Sequence, residues 1–533
     1  MKRHFNRLPG IGITVLLVLV IIATACGAPP PQPSDTATAP VTGEQPTSLP
    51  ETPPPLPELS PSVQSTSPPE TPTVVEEPSP SAPAADVVFH NGAILTMEAD
   101  QPQAQAIATQ DESILAVGSD EEILSLQGPE TVVVDLAGRT VLPGFIDGHT
   151  HILRFPDRAD QTLDEAMEVA LIYGLTTVSE MAADGPFLER LMAAEREGRL
   201  RLRVNAFPEY NAGVLDEEGN SIYMGVWFPE QGPILQSDRR LRIPGIKIFA
   251  DGGFSPGRGC WALTDRYPEA LQAELWFQDL GCGERGTLYL PQDELNRVVA
   301  EAQAAGFRVS FHTGGDHTVD IVLNAIEYAL NGESNERYRH QIQHNSLLRP
   351  DQLDRYASLN ALASVRGYFN TCEQDDYPMY FGPERFEWIA NRYALPGLGI
   401  HTYAEGDFGW TTDPTDRTSA RPVDPLLTLY GLVTHEQLRA DGSACDPDPW
   451  IAQHQIGVEQ ALQMLTLEPA FAVSQEDVIG SLRPGKFADL VILSDNPLAV
   501  DPSAIKDLKV LMTMVGGRVE YCAPGYQAFC PER

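Results

Sequence analysis

Apolar and polar residues alternate in short runs at both ends of the chain and in longer blocks between them. From Asp86 to Leu136 the runs DVVFHNGAILTM, AIATQDESILAVGS and TVVVDLAG show apolar residues alternating with polar ones. Asn91-Gly92 and Gly118 punctuate them, which predicts an antiparallel sheet with hairpins. Residues 487–493, 510–515 and 516–519 read as a matching set of strands near the other end. Such segments can close into one small β domain beside a central body. Between them strand-like and helix-like stretches take turns, which predicts a parallel sheet covered by helices. Strands fall near 145–151, 175–181, 200–208, 245–251, 307–313, 340–345, 361–369 and 399–407. Helices such as 162–173, 292–305 and 458–465 lie between or after them. Eight such units make an α/β fold of the (β/α)8, TIM-like barrel kind, with reactive side chains at the C-terminal ends of the strands.

The first 85 residues carry no such pattern. Lys2, Arg3 and Arg7 precede an apolar run from Ile11 to Ala23, too short for an ordinary membrane span. Ala23-Thr24-Ala25 and Cys26-Gly27 follow. This resembles a bacterial lipoprotein signal (residues 1–25) with Cys26 as the lipidated first residue of the mature chain. Leucine is commoner where Ala23 stands, and an ordinary secretory signal is the alternative. Residues 26–85 are rich in Pro, Ser, Thr and Glu and too poor in large apolar side chains to fold, which predicts an extended stalk. The expected location is extracytoplasmic, held to the bacterial membrane by lipid at Cys26.

The 533 residues leave room for a large core with appendages. Seventy-four acidic against 36 basic residues give a net charge of −38, which repels phosphate backbones and argues against nucleic-acid binding. Besides Cys26 there are six cysteines, and an even number in an exported chain favours disulfides. Cys260 with Cys282 and Cys522 with Cys530 are near in sequence, leaving Cys372 with Cys445, though six cysteines allow many other connectivities.

The chemistry concentrates in Val141–His151, VLPGFIDGHTH. Side chains alternate along a strand, so His149 and His151 share a face with Asp147 and can bind one metal ion. Two histidines one residue apart also occur by chance; the flanking residues carry the case further. GRTVLPGFIDGHTH resembles the first-strand signature of the amidohydrolase superfamily, and GSLRPGKFADLVIL its C-terminal signature. The likeness spans about Asp86 to Tyr521 and is strongest to the branch called amidohydrolase type 3, or YtcJ-like. It implies a barrel over residues 145–475 and a small β-sandwich assembled from 86–144 and 476–533.

The resemblance also implies a ligand set. Lys247, in GIKIFAD, would face inward; an unpaired buried ammonium is costly. A salt bridge to Asp251 or Asp147 is one remedy. A CO2-derived carbamate on Lys247, bridging two metals as in related sequences, is the other. His312 on the fifth strand and His344 on the sixth take family ligand places, while His340 lies deeper and His317 starts a helix. Asp407, in Glu-Gly-Asp, takes the eighth-strand place usually written Gly-Ser-Asp. Three departures stand out: Gln343 for a common glutamate, Arg366 where glutamine is usual, and Glu405 just below Asp407, as supporting carboxylate or rival ligand.

The implied activity is metal-dependent hydrolysis of a carbon–nitrogen bond other than a peptide bond in a small molecule, such as an N-acyl or N-formyl compound or a cyclic amide; deamination is a related alternative. Zn2+ or a similar ion, one or two per chain, would activate water and polarise the scissile group. Asp407 would serve as general base and then general acid, and His344 would ligate or orient substrate. Trp261, Trp276, Phe277, Tyr377, Tyr380 and Trp410 are candidate pocket or loop-core residues. The competing class is a catalytically inactive amidohydrolase-like surface protein that binds a small molecule. A solute-binding lipoprotein for transport fits the leader but gives three inward histidines no role. The oligomeric state is not encoded in any of these features.

Overall fold

Strands covered on both faces are buried along their whole length, and the central strands here meet that condition. All nine residues from Leu175 to Ala183 are buried, as are all six from Arg203 to Pro208. The computed structural model describes residues 84–154, 161–216, 221–223, 232–255, 257–367, 370–409, 413, 415–419 and 421–531. The expected leader, Cys26, nearly all of the stalk, and Trp410 lie outside the described residues. No helix among the described residues is long and apolar enough to cross a membrane.

The first strands are β1 (Ala85–His90), β2 (Ala93–Leu95), β3 (Gln103–Ala104), β4 (Ala106–Gln110), β5 (Ser113–Gly118), β6 (Gln127–Asp135) and β7 (Thr140–Pro143). They do not make the single hairpin sheet that their alternation predicts. β1 pairs antiparallel with β4 but parallel with β6, in the order β5-β4-β1-β6. β2 leaves for another sheet, antiparallel to β3 and parallel to β7. The expected hairpin at Asn91-Gly92 is therefore a crossover. Asn91 adopts a left-handed φ of 57°, and a Cβ on Gly92 would stand 2.3 Å from Leu136 Cδ1. Splitting β1 from β2 lets Phe89 and Ile94 enter one shared core together with Val134, Leu490 and Met514.

Next come β8 (Phe145–Thr150), β9 (Leu175–Ala183), β10 (Arg203–Pro208), the antiparallel pair β11 (Asn211–Leu215) and β12 (Ser221–Tyr223), and β13 (Leu241–Arg242). Strands β8, β9, β10 and β13 form a parallel sheet in chain order. Beyond Pro244, whose missing N–H interrupts the ladder, a second parallel sheet runs through β14 (Gly245–Phe249), β15 (Arg308–His312), β16 (Gln341–Gln343), β17 (Leu362–Arg366) and β18 (Thr402–Glu405). The two sheets meet at both edges. Tyr210 N donates to Lys247 O (2.7 Å) after β10, and Asp407 N donates to His149 O (2.9 Å) after β18. Helices cover these strands. That of residues 163–172 starts in a capping box, with Thr162 and Glu165 satisfying each other's backbone N–H. Those of residues 292–304 and 316–330 bury their apolar stripes against the same core. This is an α/β fold.

After the short ribbon of β19 (Gln437–Leu438) and β20 (Ala444–Cys445) the chain returns to its beginning. β21 (Leu490–Leu493), β22 (Val510–Val515) and β23 (Arg518–Cys522) complete a six-stranded sheet in the order β23-β22-β21-β7-β2-β3. A buried ion pair ties it to the parallel strands: Arg203 on β10 grips Asp489 through two hydrogen bonds of 2.6 and 3.2 Å. Disulfides join Cys260 to Cys282, Cys372 to Cys445 and Cys522 to Cys530, with Cα separations of 5.1, 5.2 and 6.1 Å.

Candidate metal centre

Four imidazoles and four basic side chains face one another where the parallel strands end. They surround a cavity of about 290 Å3, lined among others by His149, His151, Lys247, His312, His344 and Asp407. Each arrives from a different part of the chain: β8 and the residue after it, β14, β15, the turn after β16, and the turn after β18.

His149 and His151 are oriented from behind. His149 Nδ1 lies 2.8 Å from Gln343 Oε1, and His151 Nδ1 lies 2.9 Å from Met181 O. An acceptor at Nδ1 places the ring proton there and leaves the Nε2 lone pair facing forward. The two Nε2 atoms converge on one oxygen, Asp407 Oδ1, at 3.5 and 3.6 Å. His149, His151 and Asp407 thus offer ligand atoms all within 4.8 Å of one another. The close approach of β8 to β18 that permits this needs Gly148, where a Cβ would stand 2.2 Å from the Tyr403 ring.

A second group of that spacing is His149, His344 and Glu405. His344 Nδ1 sits 2.5 Å from Glu405 Oε1, and the ring centroids of His149 and His344 are 4.6 Å apart. Glu405 also accepts from Ser364 Oγ. His312 joins neither group. Its ring is 4.8 Å from that of His344, and its Nε2 lies 3.3 Å from Gly252 O and 3.6 Å from Asp251 Oδ1. His340 is spent deeper down, accepting from Val309 N. Asp147, which shares the histidines' strand, accepts from His149 N and Gly406 N and fixes the turn instead of reaching the cavity.

Lys247 is fully buried, and its Nζ finds no hydrogen-bond acceptor among the described residues. Neither proposed salt bridge forms. Asp251 is occupied by Gly314 N, Gly315 N, Ala262 N and Thr318 Oγ1. Burial pushes the Lys247 amine down to about 7 against the pull of Glu405 and Asp407. Burial likewise holds His149, His312 and His344 well below the ordinary imidazole value and lowers His151, so the rings are neutral and able to ligate.

Asp407 behaves differently. Burial would raise it, yet Arg421 and Arg366 together hold it well below the usual carboxylate range. Arg366 donates to Oδ2 at 2.7 Å, and Arg421 Nε lies 3.1 Å from the same atom. One carboxylate oxygen therefore faces the imidazoles and the other two guanidiniums. Sequence reading marked Arg366 only as a departure and missed Arg421, which sits in a polar loop with no local signal. His344 and Asp407 both carry left-handed φ angles, 69° and 49°, the kind of strain that gathers at functional sites.

Between the two readings of the loop aromatics, pocket lining and loop core, the structure favours the second. Phe249, Phe254 and Tyr289 line the cavity. Trp261 stacks on Phe381, Phe277 is buried against Tyr267, and Tyr377 faces Trp450, so these are loop core, while Trp276 packs edge-on to Tyr380 and stays exposed.

The sequence profile described as "Amidohydrolase family" matches residues 155–521. The chain is similar to YtcJ of Bacillus subtilis, at 21% identity over 81% of this chain and 99% of that one. It is equally similar, at 21%, to N-substituted formamide deformylase of Arthrobacter pascens, over 82% of this chain and 98% of that one. Among solved structures, an uncharacterized metal-dependent hydrolase from Pyrococcus furiosus superposes with a TM-score of 0.59 at 20% identity, covering 77% of this chain and 99% of that one.

Proposed function

The chain belongs to the amidohydrolase family, and from that premise we propose that it hydrolyses a carbon–nitrogen bond, other than a peptide bond, in a small molecule. One observation carries the reading: the Nε2 atoms of His149 and His151 converge on Asp407 Oδ1 while their Nδ1 atoms are tied outward. That is the donor set and the tautomer that a divalent ion such as Zn2+ requires. The orphaned Nζ of Lys247 fits the same group, because a CO2-derived carbamate would turn a costly buried amine into an oxygen ligand.

His149, His151 and Asp407 would hold one ion. Lys247 as its carbamate, with His312 and His344, would hold a second. Bound there, the ion would lower the pKa of water and polarise the scissile carbonyl. Asp407 Oδ1 faces the imidazoles and is placed to take the proton of the attacking water and return it to the leaving nitrogen. Glu405, bonded to His344 Nδ1, orients that ring. Deformylation by the Arthrobacter relative makes N-formyl compounds the first class to screen.

The proposal extends to the rest of the chain. The two parallel sheets, meeting at both edges, support one closed (β/α)8 barrel over residues 145–475, with residues 86–144 and 476–533 forming the accompanying β domain. Three disulfides favour an oxidising compartment, in line with export by residues 1–25 and lipid anchoring at Cys26.

The double clamp on Asp407 Oδ2 favours one second reading, a surface protein that binds its ligand without turnover. Elemental mass spectrometry of the full chain purified without added metal tests the first. About two equivalents of a zinc-like ion agree with the carbamate site, and about one removes Lys247 from it. None, even after zinc and bicarbonate are supplied, leaves the binding protein.

A further inference from the structure

We propose that Gln341, at the start of β16, is a positioning residue for the metal ligand His149: a relay of buried hydrogen bonds through Tyr403 and Gln343 fixes which ring nitrogen of His149 carries the proton. This rests on the metal-dependent reading above and concerns the protein's own side of that site. The need arises from Gln343, an amide where a glutamate is common. A carboxylate can only accept, so it would hold the His149 proton on Nδ1 unaided. An amide has a donating and an accepting end, and either could be turned to the ring. Across the ring, Asp407 Oδ1 lies 3.5 Å from Nε2 and draws the proton towards the nitrogen that must stay bare to ligate.

The relay removes that choice one bond at a time. Its anchor is Ala472 O, at the end of the helix Leu467–Ala472, a carbonyl that can only accept. Gln341 Nε2 donates to it at 2.6 Å, which turns Gln341 Oε1 the other way. Tyr403 Oη donates to that oxygen at 2.8 Å. With its proton so used, the hydroxyl has only lone pairs to offer. Gln343 Nε2 donates to it at 2.6 Å and to Gln341 Oε1 at 3.2 Å. Gln343 Oε1 is then left facing His149 Nδ1 at 2.8 Å, an acceptor that demands the Nδ1–H tautomer. All four side chains are buried, where a mismatched donor or acceptor is costly. Ser364 Oγ lies 2.7 Å from Gln343 Oε1 and also contacts Glu405. Its single proton rotates to suit, so it follows the amide and does not set it.

The test is Gln341→Met in the full chain, which keeps much of the volume, removes the amide and leaves Ala472 O bonded to Arg308. Tyr403 is then free to donate to Gln343, and Gln343 to turn its Nε2 on His149. Nitrogen-15 NMR of the metal-free protein reads the tautomer, with the His149 signals identified by their loss in His149→Gln. Competition with a chromogenic chelator reads zinc affinity. The wild type should show Nδ1–H. In Gln341→Met about half or more of the His149 proton should move to Nε2, and zinc should bind at least about tenfold more weakly. Gln343→Glu, alone or added to Gln341→Met, supplies an acceptor that needs no relay. Both variants should show Nδ1–H and an affinity within about threefold of the wild type. Gln341→Leu takes the place of Gln341→Met if the latter does not fold.

An unchanged tautomer in Gln341→Met overturns the proposal and spares the metal-dependent reading. So do losses that Gln343→Glu fails to restore, because they mark Gln341 as a packing residue only. Tautomers that behave as expected in a wild type that binds no zinc keep the relay and sink the metal-dependent reading instead.

Discussion

Replacing Lys247 by methionine should stabilise the metal-free protein at neutral pH. The amine is fully buried with no acceptor within bonding distance among the described residues, and burial brings it down to about 7 from 10.5. Below pH 7 both folded and unfolded chains carry its proton, and the folded state bears the whole cost. Between pH 7 and 10.5 the unfolded chain keeps the proton and the folded chain does not. Stability therefore rises with pH across that window, by about 1.4 kcal/mol per pH unit and about 5 kcal/mol in all. Methionine fills much of the same volume and has nothing to titrate, so its advantage should shrink by about 3 kcal/mol between pH 7.5 and 9.5. Urea unfolding in chelator and CO2-depleted buffer, disulfides intact, measures both proteins. Zinc with bicarbonate should then stabilise the wild type and leave Lys247→Met behind. A gap that stays constant over this pH range would refute the reasoning, because it would mean that the amine is solvated or paired in the folded state.

Asp489→Ala strands the buried Arg203 guanidinium and should cost about 3–5 kcal/mol in urea unfolding, while Arg203→Met with Asp489→Leu should recover most of it; equal losses in single and double variants would count against the pair. Gly148→Ala drives a Cβ into the buried Tyr403 ring, whose hydroxyl is held by Gln341. It should cost about 1–3 kcal/mol and lower zinc affinity at least tenfold, read by competition with a chromogenic chelator; unchanged affinity would separate this glycine from the site. Removing the Cys372–Cys445 bridge by paired serine substitution opens a loop of 73 residues and should cost about 4 kcal/mol; a thermal midpoint within a degree of wild type would contradict that.

The strands that carry the chemistry were legible because local pattern defines them. The stretch 175–181 became Leu175–Ala183, and the helix expected at 292–305 became residues 292–304. Partner choice was not legible. Nothing near Asn91-Gly92 says that β1 will run parallel to β6, since that pairing depends on a core shared with residues almost 400 positions away. The site divides in the same way. His149, His151 and Asp407 lie in strand-end motifs and meet as their positions imply. Arg421 acts from a loop whose composition is that of any solvated turn, and only the fold brings it to Asp407. Glu405 was visible as a surplus carboxylate, and only the fold sets it against His344 Nδ1.

The seam between β7 and β21 has a consequence in time. About 350 residues separate Pro143 from Leu490, which end up paired. At ribosomal speeds of about 5–20 residues per second, β7 waits about 20–70 s for its neighbour. Throughout that interval it offers an apolar strand with one bare edge, the feature on which other chains can add. A holdase that covers residues 140–143 until the last fifty residues emerge, or transport of the chain before any of it folds, would keep that edge from finding the wrong partner.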